Sequence, residues 1–462
     1  MKTLLIRPPD NSLGEFKKIG GVQHPMSLLY LATYARKIGY DVDILDLEVA
    51  DEQDIVSCIQ DYDIIGIGMM SPHVSFAKRI LRLARSQGLI TVLGGPHPTV
   101  MPEHSLNVLG ADIIVRGEGE ITFSEILAAL SNDEKIDKIH GVSFKSGGKI
   151  IHNPNRSFIK DLDQIPIPDR TLINMDEYIG ETTPGIPKRS AVMFTSRGCP
   201  YLCNFCSANL IQGRRYRFRS VDNILQEVRS LRSHGFEHIT IDDDSFTINK
   251  ERVLRFCNAV AKNFPELTFD CDSRVDAVDE KMLTAMKNAG FLKIAYGIES
   301  GSPKVLKDIK KNISVKQIRN AFRLTKNAGI ATQAFISIGH ITETNTDIRL
   351  TRDLVRDIRP DYLHISVINP YPGTELFEYA NMNKTLDKLE WEDLGFFKNN
   401  VLWKTKHFTG KQLISIRNRM YRDFYMNPKY IFNRITKINN LSEFIYNVKS
   451  FFALRKQFRN NW

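Results

Sequence analysis

Gly198-Cys199-Pro200-Tyr201-Leu202-Cys203-Asn204-Phe205-Cys206 places three cysteines on one tight loop, at spacings of four and three. Three thiolates so close together suit an iron-sulfur cube, whose irons are held by cysteine sulfur. A four-cysteine ferredoxin run closes such a cluster for electron transfer, whereas three ligands leave one iron open to bind substrate. No fourth cysteine lies nearby. Cys58, Cys257 and Cys271 are distant in sequence, in apolar or strand-like settings that suit ordinary buried thiols. A structural zinc site is the alternative, but zinc takes four ligands in paired spacings, and no histidine follows closely.

From about residue 190 to 400 a strand-helix rhythm surrounds this loop. Strands are expected at Ala191 to Thr195, His238 to Ile241, Thr268 to Ser273, Lys293 to Ile298, Thr332 to Ile338 and Tyr362 to Val367. Such a rhythm predicts a partial (β/α)6 barrel with the cysteine loop after its first strand, at the active-site end. The other strand ends carry chemistry too. Asp242-Asp243-Asp244-Ser245-Phe246 follows the second strand, and its carboxylates can accept from an ammonium group. Arg274, after the third, suits a carboxylate or a surface ion pair. Glu299 and Ser300 end the fourth and can bind a diol. Gly339-His340 ends the fifth, and Asn369-Pro370-Tyr371-Pro372-Gly373-Thr374 follows the sixth. Helix capping is the plainer reading of Asp244 or Ser245.

The Cys-x3-Cys-x-aromatic-Cys arrangement, with Phe205 before Cys206, resembles the radical SAM superfamily signature. That resemblance implies a [4Fe-4S] cluster on Cys199, Cys203 and Cys206. Its unique iron would chelate the amino and carboxylate groups of S-adenosylmethionine (SAM) and cleave it reductively to a 5'-deoxyadenosyl radical. The same resemblance places Phe205, Asp243, Asp244, Arg274, Glu299, Ser300 and Gly339 around SAM, Asp243 and Asp244 near its amino group and Glu299-Ser300 on its ribose.

The first 135 residues alternate strands, Thr3 to Arg7, Asp41 to Leu47, Ile64 to Met69, Ile90 to Gly94 and Ile113 to Arg116, with helical patterns. They predict a doubly wound parallel sheet of flavodoxin-like order. Ligands bind such sheets at the carboxyl ends of the strands. Those ends read Pro8-Pro9-Asp10, Ser71-Pro72-His73, Gly94-Gly95-Pro96-His97-Pro98-Thr99 and Gly117-Glu118-Gly119-Glu120. Glycines there let backbone approach a ligand, although turn chemistry alone accounts for any one of them. Ahead of the cysteine motif, these loops resemble the cobalamin-binding domain of B12-dependent radical SAM enzymes. The resemblance implies cobalamin contacts from Pro8, Pro9, Ser71, Pro72, Gly94, Gly95, His97, Pro98, Thr99, Gly117, Glu118 and Gly119. The Asp-x-His-x-x-Gly motif that supplies an axial histidine in many B12 proteins is absent. Cobalamin without a protein axial histidine is therefore implied, with His97 a loop contact or a structural residue.

Residues 136–185 read as a hairpin through Lys145-Ser146-Gly147-Gly148-Lys149 and a proline-rich linker, separating the sheet from a barrel assigned to residues 186–400. Residues 401–462 form a basic, aromatic, helical extension. They hold 13 Lys or Arg against Asp423 and Glu443, a net +11 beside +10 for the whole chain, so that the rest is almost neutral. In the last helical pattern Phe444, Val448, Phe451, Phe452 and Arg455 share a face, with Lys449, Lys456 and Arg459 off it and Trp462 ending the chain. Such a helix can lie on an anionic membrane surface, or the segment can cap the barrel. No nucleic-acid module is recognisable.

With 462 residues, 42% apolar and 25% charged, the chain is long enough for two or three domains. It shows no signal-like or membrane-spanning stretch, and a cluster site needs a reducing compartment. A cytoplasmic protein is expected, with peripheral membrane contact as an addition. The resemblance implies C-methylation of an unactivated carbon through methylcobalamin. The substrate would be a small molecule or lipid-like, and a flavodoxin or ferredoxin would supply electrons. Cyclisation without methyl transfer, as in the anaerobic cyclase of chlorophyll precursors, is the alternative outcome, and a non-catalytic cobalamin sensor or carrier the alternative class. A methylthiotransferase fits less well, since no extra N-terminal cysteine set and no C-terminal RNA-binding domain are visible.

Overall fold

Runs of Ile, Val and Leu that are buried on both faces make parallel strands. The computed structural model, which describes residues 1–10, 22–178, 189–386, 390–394, 401, 403–436, 438 and 441–457, arranges those runs in two sheets. The first is β1 (Lys2–Arg7), β2 (Asp41–Asp46), β3 (Ile64–Gly68), β4 (Ile90–Gly94) and β5 (Ile113–Val115), all parallel in the order β2-β1-β3-β4-β5. Helices Met26–Lys37 and Glu120–Ser131 cover one face, and Glu52–Cys58 and Val74–Ser86 the other. This is the doubly wound layout expected from the alternation. The hairpin, expected as a mere connection, extends the sheet: β6 (Val142–Ser146) and β7 (Lys149–His152) add antiparallel strands. Phe144 pairs with Ile113 and Val142 with Val115, so the hairpin closes the edge that β5 would otherwise expose.

The second sheet follows β8 (Ser190–Met193), which leads into a short pair, β9 (Ser196–Arg197) and β10 (Arg217–Phe218). The other barrel strands are β11 (His238–Ile241), β12 (Thr268–Ser273), β13 (Phe291–Glu299), β14 (Ala331–Ile338) and β15 (Tyr362–Val367). Six parallel strands run β15-β14-β13-β12-β11-β8, an open barrel. The expected boundaries near 185 and 400 fall outside the described residues, as do Arg459 and Trp462 and the side chain of Arg455.

The free edge of β15 is capped by the first helix of the basic extension, Gly410–Tyr425. Backbone amides of Ile365 and Leu363 donate to the hydroxyls of Tyr421 (2.7 Å) and Tyr425 (3.0 Å). Two aromatic side chains thus stand in for a seventh strand. Trp403 is buried beside them and donates through Nε1 to the Ile368 carbonyl at 3.0 Å. Beyond this cap, helices Pro428–Ile435 and Leu441–Gln457 leave Phe432, Ile435, Phe444 and Phe452 largely exposed.

A buried ion triad fastens the linker to the barrel. Glu227, on helix Val221–Ser233, accepts from Arg170 of the linker (2.8 Å) and from Arg219 (2.5 Å). Burial alone raises the Glu227 carboxyl, but the two guanidiniums hold it below its ordinary value. A depressed carboxyl contributes stability above its unfolded value, and that contribution fades as pH falls through the folded one. Glu227→Gln leaves two buried cations underpaired. It is expected to cost about 3 kcal/mol at pH 7, read as a lower urea midpoint, with the difference from wild type narrowing below about pH 4.

Candidate functional site

The cysteine loop leaves β9 through Gly198, at φ +87°, where a Cβ would lie 2.5 Å from the Arg215 carbonyl. Only glycine fits so close to the returning backbone. The loop is then pinned from three sides. Cys199 N donates to Gly213 O (3.2 Å), Asn204 N to Ile309 O (3.2 Å) and Leu376 N to Asn204 O (3.1 Å). Arg274 lies 3.5 Å over the Tyr201 ring while both its Nε and Nη2 donate to Asp276 at 2.9 Å and Nη2 also reaches Lys311 O.

All three thiols are partly exposed, and burial raises each of them, Cys206 up to about 11. Thiols of this kind become thiolates when metal binds, which fits a metal-holding loop. Three cysteines with no fourth cysteine or histidine close in the chain suit a cluster in which each sulfur takes a different iron rather than a zinc tetrahedron.

The rim divides into committed and open side chains. Asp243 is buried and accepts from Thr195 N (2.6 Å), Thr195 Oγ1 (2.5 Å), Ser196 N (2.9 Å) and Ser196 Oγ (2.6 Å), with Arg252 3.5 Å away. These bonds tie it to the end of β8 and the start of β9. Arg274 sets its charge against Asp276 and the Tyr201 ring. Ser300 is fully buried between Thr351 Oγ1 (3.1 Å) and Ser302 N (3.1 Å), and its hydroxyl caps the following turn. Gly339 turns at φ +94°, but on its Cβ side Leu413 fills the space at 2.8 Å, where a packed adenine was expected.

Asp244 remains solvent-accessible, raised to about 6 by burial and then by Asp243, and its charge acts on Cys199 and Cys206. Glu299 sits at φ +59°, a conformation that costs a non-glycine residue about 1–3 kcal/mol. Its carboxylate accepts from Lys311 Nζ (2.9 Å) and Ser337 Oγ (3.0 Å). Phe205 is half-buried, edge-on to His340 at 5.9 Å. Lys311, Ser337 and His340 were not legible as site residues, because no local motif marks them.

The N-terminal loops gather on the same side as the cysteine loop. Gly373, after β15, has Leu210 beyond the cysteines at 2.8 Å and Val100 of helix Pro96–Val100 at 3.1 Å from its Cβ position. Arg197 of β9 donates to Glu118 (3.1 Å) and Glu120 (2.5 Å), and Arg217 of β10 to Glu118 (2.8 Å). Glu118 therefore braces the two halves. His97 is fully buried: Nδ1 meets Ser71 Oγ (3.0 Å), Nε2 meets His104 Nδ1 (3.1 Å), and Trp391 stands against the ring. Both nitrogens are engaged within the protein, so His97 and Ser71 are structural here. Thr99 Oγ1 accepts from Gly117 N (3.0 Å). Pro8, Pro9, Pro72, Gly94, Gly95, Pro98, Gly117 and Gly119 line the strand ends. A Cβ at Gly117 would meet nothing within 4 Å, whereas at Gly95 it would strike Met69 O at 2.8 Å.

The B12 binding domain family matches residues 16–127 and the radical SAM superfamily residues 193–355. An uncharacterized methyltransferase from Pyrococcus horikoshii is 34% identical over 443 residues, covering 94% of this chain and 95% of its own. The anaerobic magnesium-protoporphyrin IX monomethyl ester cyclase of Rubrivivax gelatinosus is 28% identical, over 95% of this chain and 80% of its own. The fold is shared with the radical S-adenosylmethionine methyltransferase TsrM from Kitasatospora setae (TM-score 0.74, 15% identity, 100% of both chains) and with the cobalamin-dependent radical enzyme OxsB (TM-score 0.78, 19% identity, 99% and 72%).

A cysteine-clipped barrel joined to a doubly wound sheet defines a radical SAM enzyme with a second, B12-type domain. The chain belongs to the B12-dependent radical SAM methyltransferase family, of which the cyclase is a relative, and its cofactors are a [4Fe-4S] cluster, SAM and cobalamin.

Asp243→Asn replaces an acceptor with an amide that cannot take all four hydrogen bonds. A loss of about 1–3 kcal/mol in apoprotein stability is expected, with reduced iron retention after reconstitution, measured by denaturant titration and iron assay.

Proposed function

We propose that this enzyme methylates an unactivated carbon of a small or lipid-like molecule held between the barrel and the N-terminal sheet. One observation carries the reading: Glu118 and Glu120, at the end of β5, are paired with Arg197, which enters the cysteine loop. The edge that would hold cobalamin and the clip that would hold the cluster thus border one chamber. When bound, the cluster and SAM supply a carbon radical and cobalamin carries the methyl group. The protein's part is to hold and enclose. Cys199, Cys203 and Cys206 would hold the cluster, Asp244 and Phe205 are open to SAM, and Glu299 is oriented toward it by Lys311 and Ser337. Met26, Leu29 and Tyr30, with Leu162 and Ile165, pack on Val192 and close the barrel at β8, keeping water from a reactive intermediate. Electrons come from a flavodoxin- or ferredoxin-like donor. Ring formation without methyl transfer is the second reading, favoured by the cyclase among the relatives.

The test is anaerobic reconstitution with cluster and hydroxocobalamin, reduction, and addition of methyl-deuterated SAM together with extract of the producing cells. Release of 5'-deoxyadenosine and a compound heavier by one labelled methyl are expected, and Cys203→Ala should abolish both while keeping its cobalamin. A loaded enzyme that releases no deoxyadenosine contradicts the radical reading; deoxyadenosine with an unlabelled, oxidised product replaces methylation by cyclisation.

No helix among the described residues is long and apolar enough to cross a membrane. Peripheral contact through Ile431, Phe432, Ile435, Phe444, Ile445, Val448 and Phe452, with Lys429 and Lys449 near lipid phosphates, is part of this proposal; all seven apolar residues are exposed. Ending the chain at Asn427 keeps the β15 cap. Co-sedimentation with phosphatidylglycerol vesicles should fall at least several-fold on that truncation, and equal binding removes the membrane contact.

A further inference from the structure

A second recess lies at the opposite end of the barrel strands from the cysteine loop. Ala331, where β14 begins, and Asp361 and Leu363, where β15 begins, line an open cleft of about 1320 Å³. The rest of its lining comes from the ends of helices Val315–Asn327 and Asn345–Ile358 and from helix Pro428–Ile435 of the basic extension. Its buried lining is apolar, with Ile330, Val355, Leu363 and Met420. Six cations, Lys326, Arg352, Arg356, Arg359, Lys429 and Arg434, border the cleft against two carboxylates, Asp361 and Asp423.

Cations at helix C-termini have a plain use, to meet the carbonyls left over there. Lys326 is used so: its Nζ donates to the carbonyls of Ile358 (2.8 Å) and Arg359. Arg352 pairs with Asp423 at 2.5 Å, and Arg434 lies 5.1 Å over the Tyr362 ring and donates to Asn447 at 2.8 Å. Three charges are left. Among the described residues Arg356 meets only Asp353, at 3.4 Å and with both side chains about two-thirds exposed, a pair worth little. The side chains of Arg359 and Lys429 make no hydrogen bond or ion pair there. Three residues apart at one helix end, Arg356 and Arg359 are neighbours.

Phe432 decides the class of ligand. It lines the cleft, yet it is 68% exposed and is flanked on its helix by Ile431 and Ile435, which water also reaches. A soluble phosphate ester needs only the cations, and roughly 300–1,000 Å³ serves a small-molecule site. An anionic amphiphile uses both halves, its charge on the arginines and its chain on the apolar lining. We propose that this cleft binds an anionic phospholipid, its phosphate held by Arg356, Arg359 and Lys429 and its acyl chain laid along Val355 and Leu363 toward Phe432. Such a site rests on the membrane contact through Phe432 for the source of its lipid. It adds a selectivity for anionic headgroups that exposed apolar residues alone do not give. Because it opens at the far end of the barrel from the cysteines, its occupant is a membrane lipid and not the molecule being methylated.

The probes are dihexanoylphosphatidylglycerol and dihexanoylphosphatidylcholine, both below their micellar concentrations, and inorganic phosphate, each titrated calorimetrically into the full-length protein. Phosphatidylglycerol should bind saturably, with phosphatidylcholine and phosphate each weaker by about tenfold or more. Arg356→Gln/Arg359→Asn changes two exposed positions, and asparagine suits the left-handed backbone at Arg359 (φ +44°). This variant should keep its Tm and bind phosphatidylglycerol about tenfold more weakly. Phe432→Ser should weaken the lipid likewise and leave phosphate unaffected. No binding of phosphatidylglycerol, equal binding of phosphatidylcholine, or an affinity unchanged in either variant overturns the site, and phosphate binding as tightly as the lipid replaces the lipid by a free anion. Monomeric lipid needs no bilayer, so this titration and the vesicle co-sedimentation fail separately, and deoxyadenosine release reports on neither.

Discussion

Glu118 is the point on which the two halves of the molecule are registered. Its carboxylate is nearly inaccessible to water and accepts from Arg197, Arg217 and the Ile159 amide, which belong to the strand entering the cysteine loop, the strand leaving it and the linker. A charge so enclosed is tolerable only with its partners in place, and Arg217 without it would lose its carboxylate partner, while Arg197 would keep Glu120. The network therefore fixes the N-terminal sheet against the cysteine clip more firmly than apolar packing could, because packing can slide and paired charges cannot. Two reagents that must react in sequence need such a fixed separation.

The same economy explains why several motif residues do not face the chamber. Asp243, Arg274 and Ser300 stand where ligand contacts were expected, yet each spends its polar atoms on the loops that carry the chemistry. A loop displaying three thiols can offer few hydrogen bonds of its own, so neighbouring strand ends hold it in place. Positioning here is achieved by residues behind the sulfurs, and it leaves Asp244 and Phe205 on the open side.

The sheets were legible because parallel strands buried on both faces write unbroken apolar runs, such as Ile64-Ile65-Gly66-Ile67, and the cysteines because their spacing has few other uses. Side-chain commitments were not. His97 looked available from a glycine-rich loop, but its partner Trp391 is almost three hundred residues away and no local pattern announces it. Lys311 reads as one surface lysine beside Lys310, yet it is buried against Glu299. Tyr421 and Tyr425 counted as part of an aromatic, basic tail, whereas their hydroxyls finish the edge of β15.

The central claim is that cluster and cobalamin border one chamber. Electron paramagnetic resonance of enzyme loaded with a reduced cluster and cob(II)alamin tests it most directly. A shared chamber predicts a cobalt signal broadened and relaxed by the cluster spin, restored to its isolated form in Cys203→Ala, which holds no cluster. A spectrum equal to the sum of two independent signals would contradict the account.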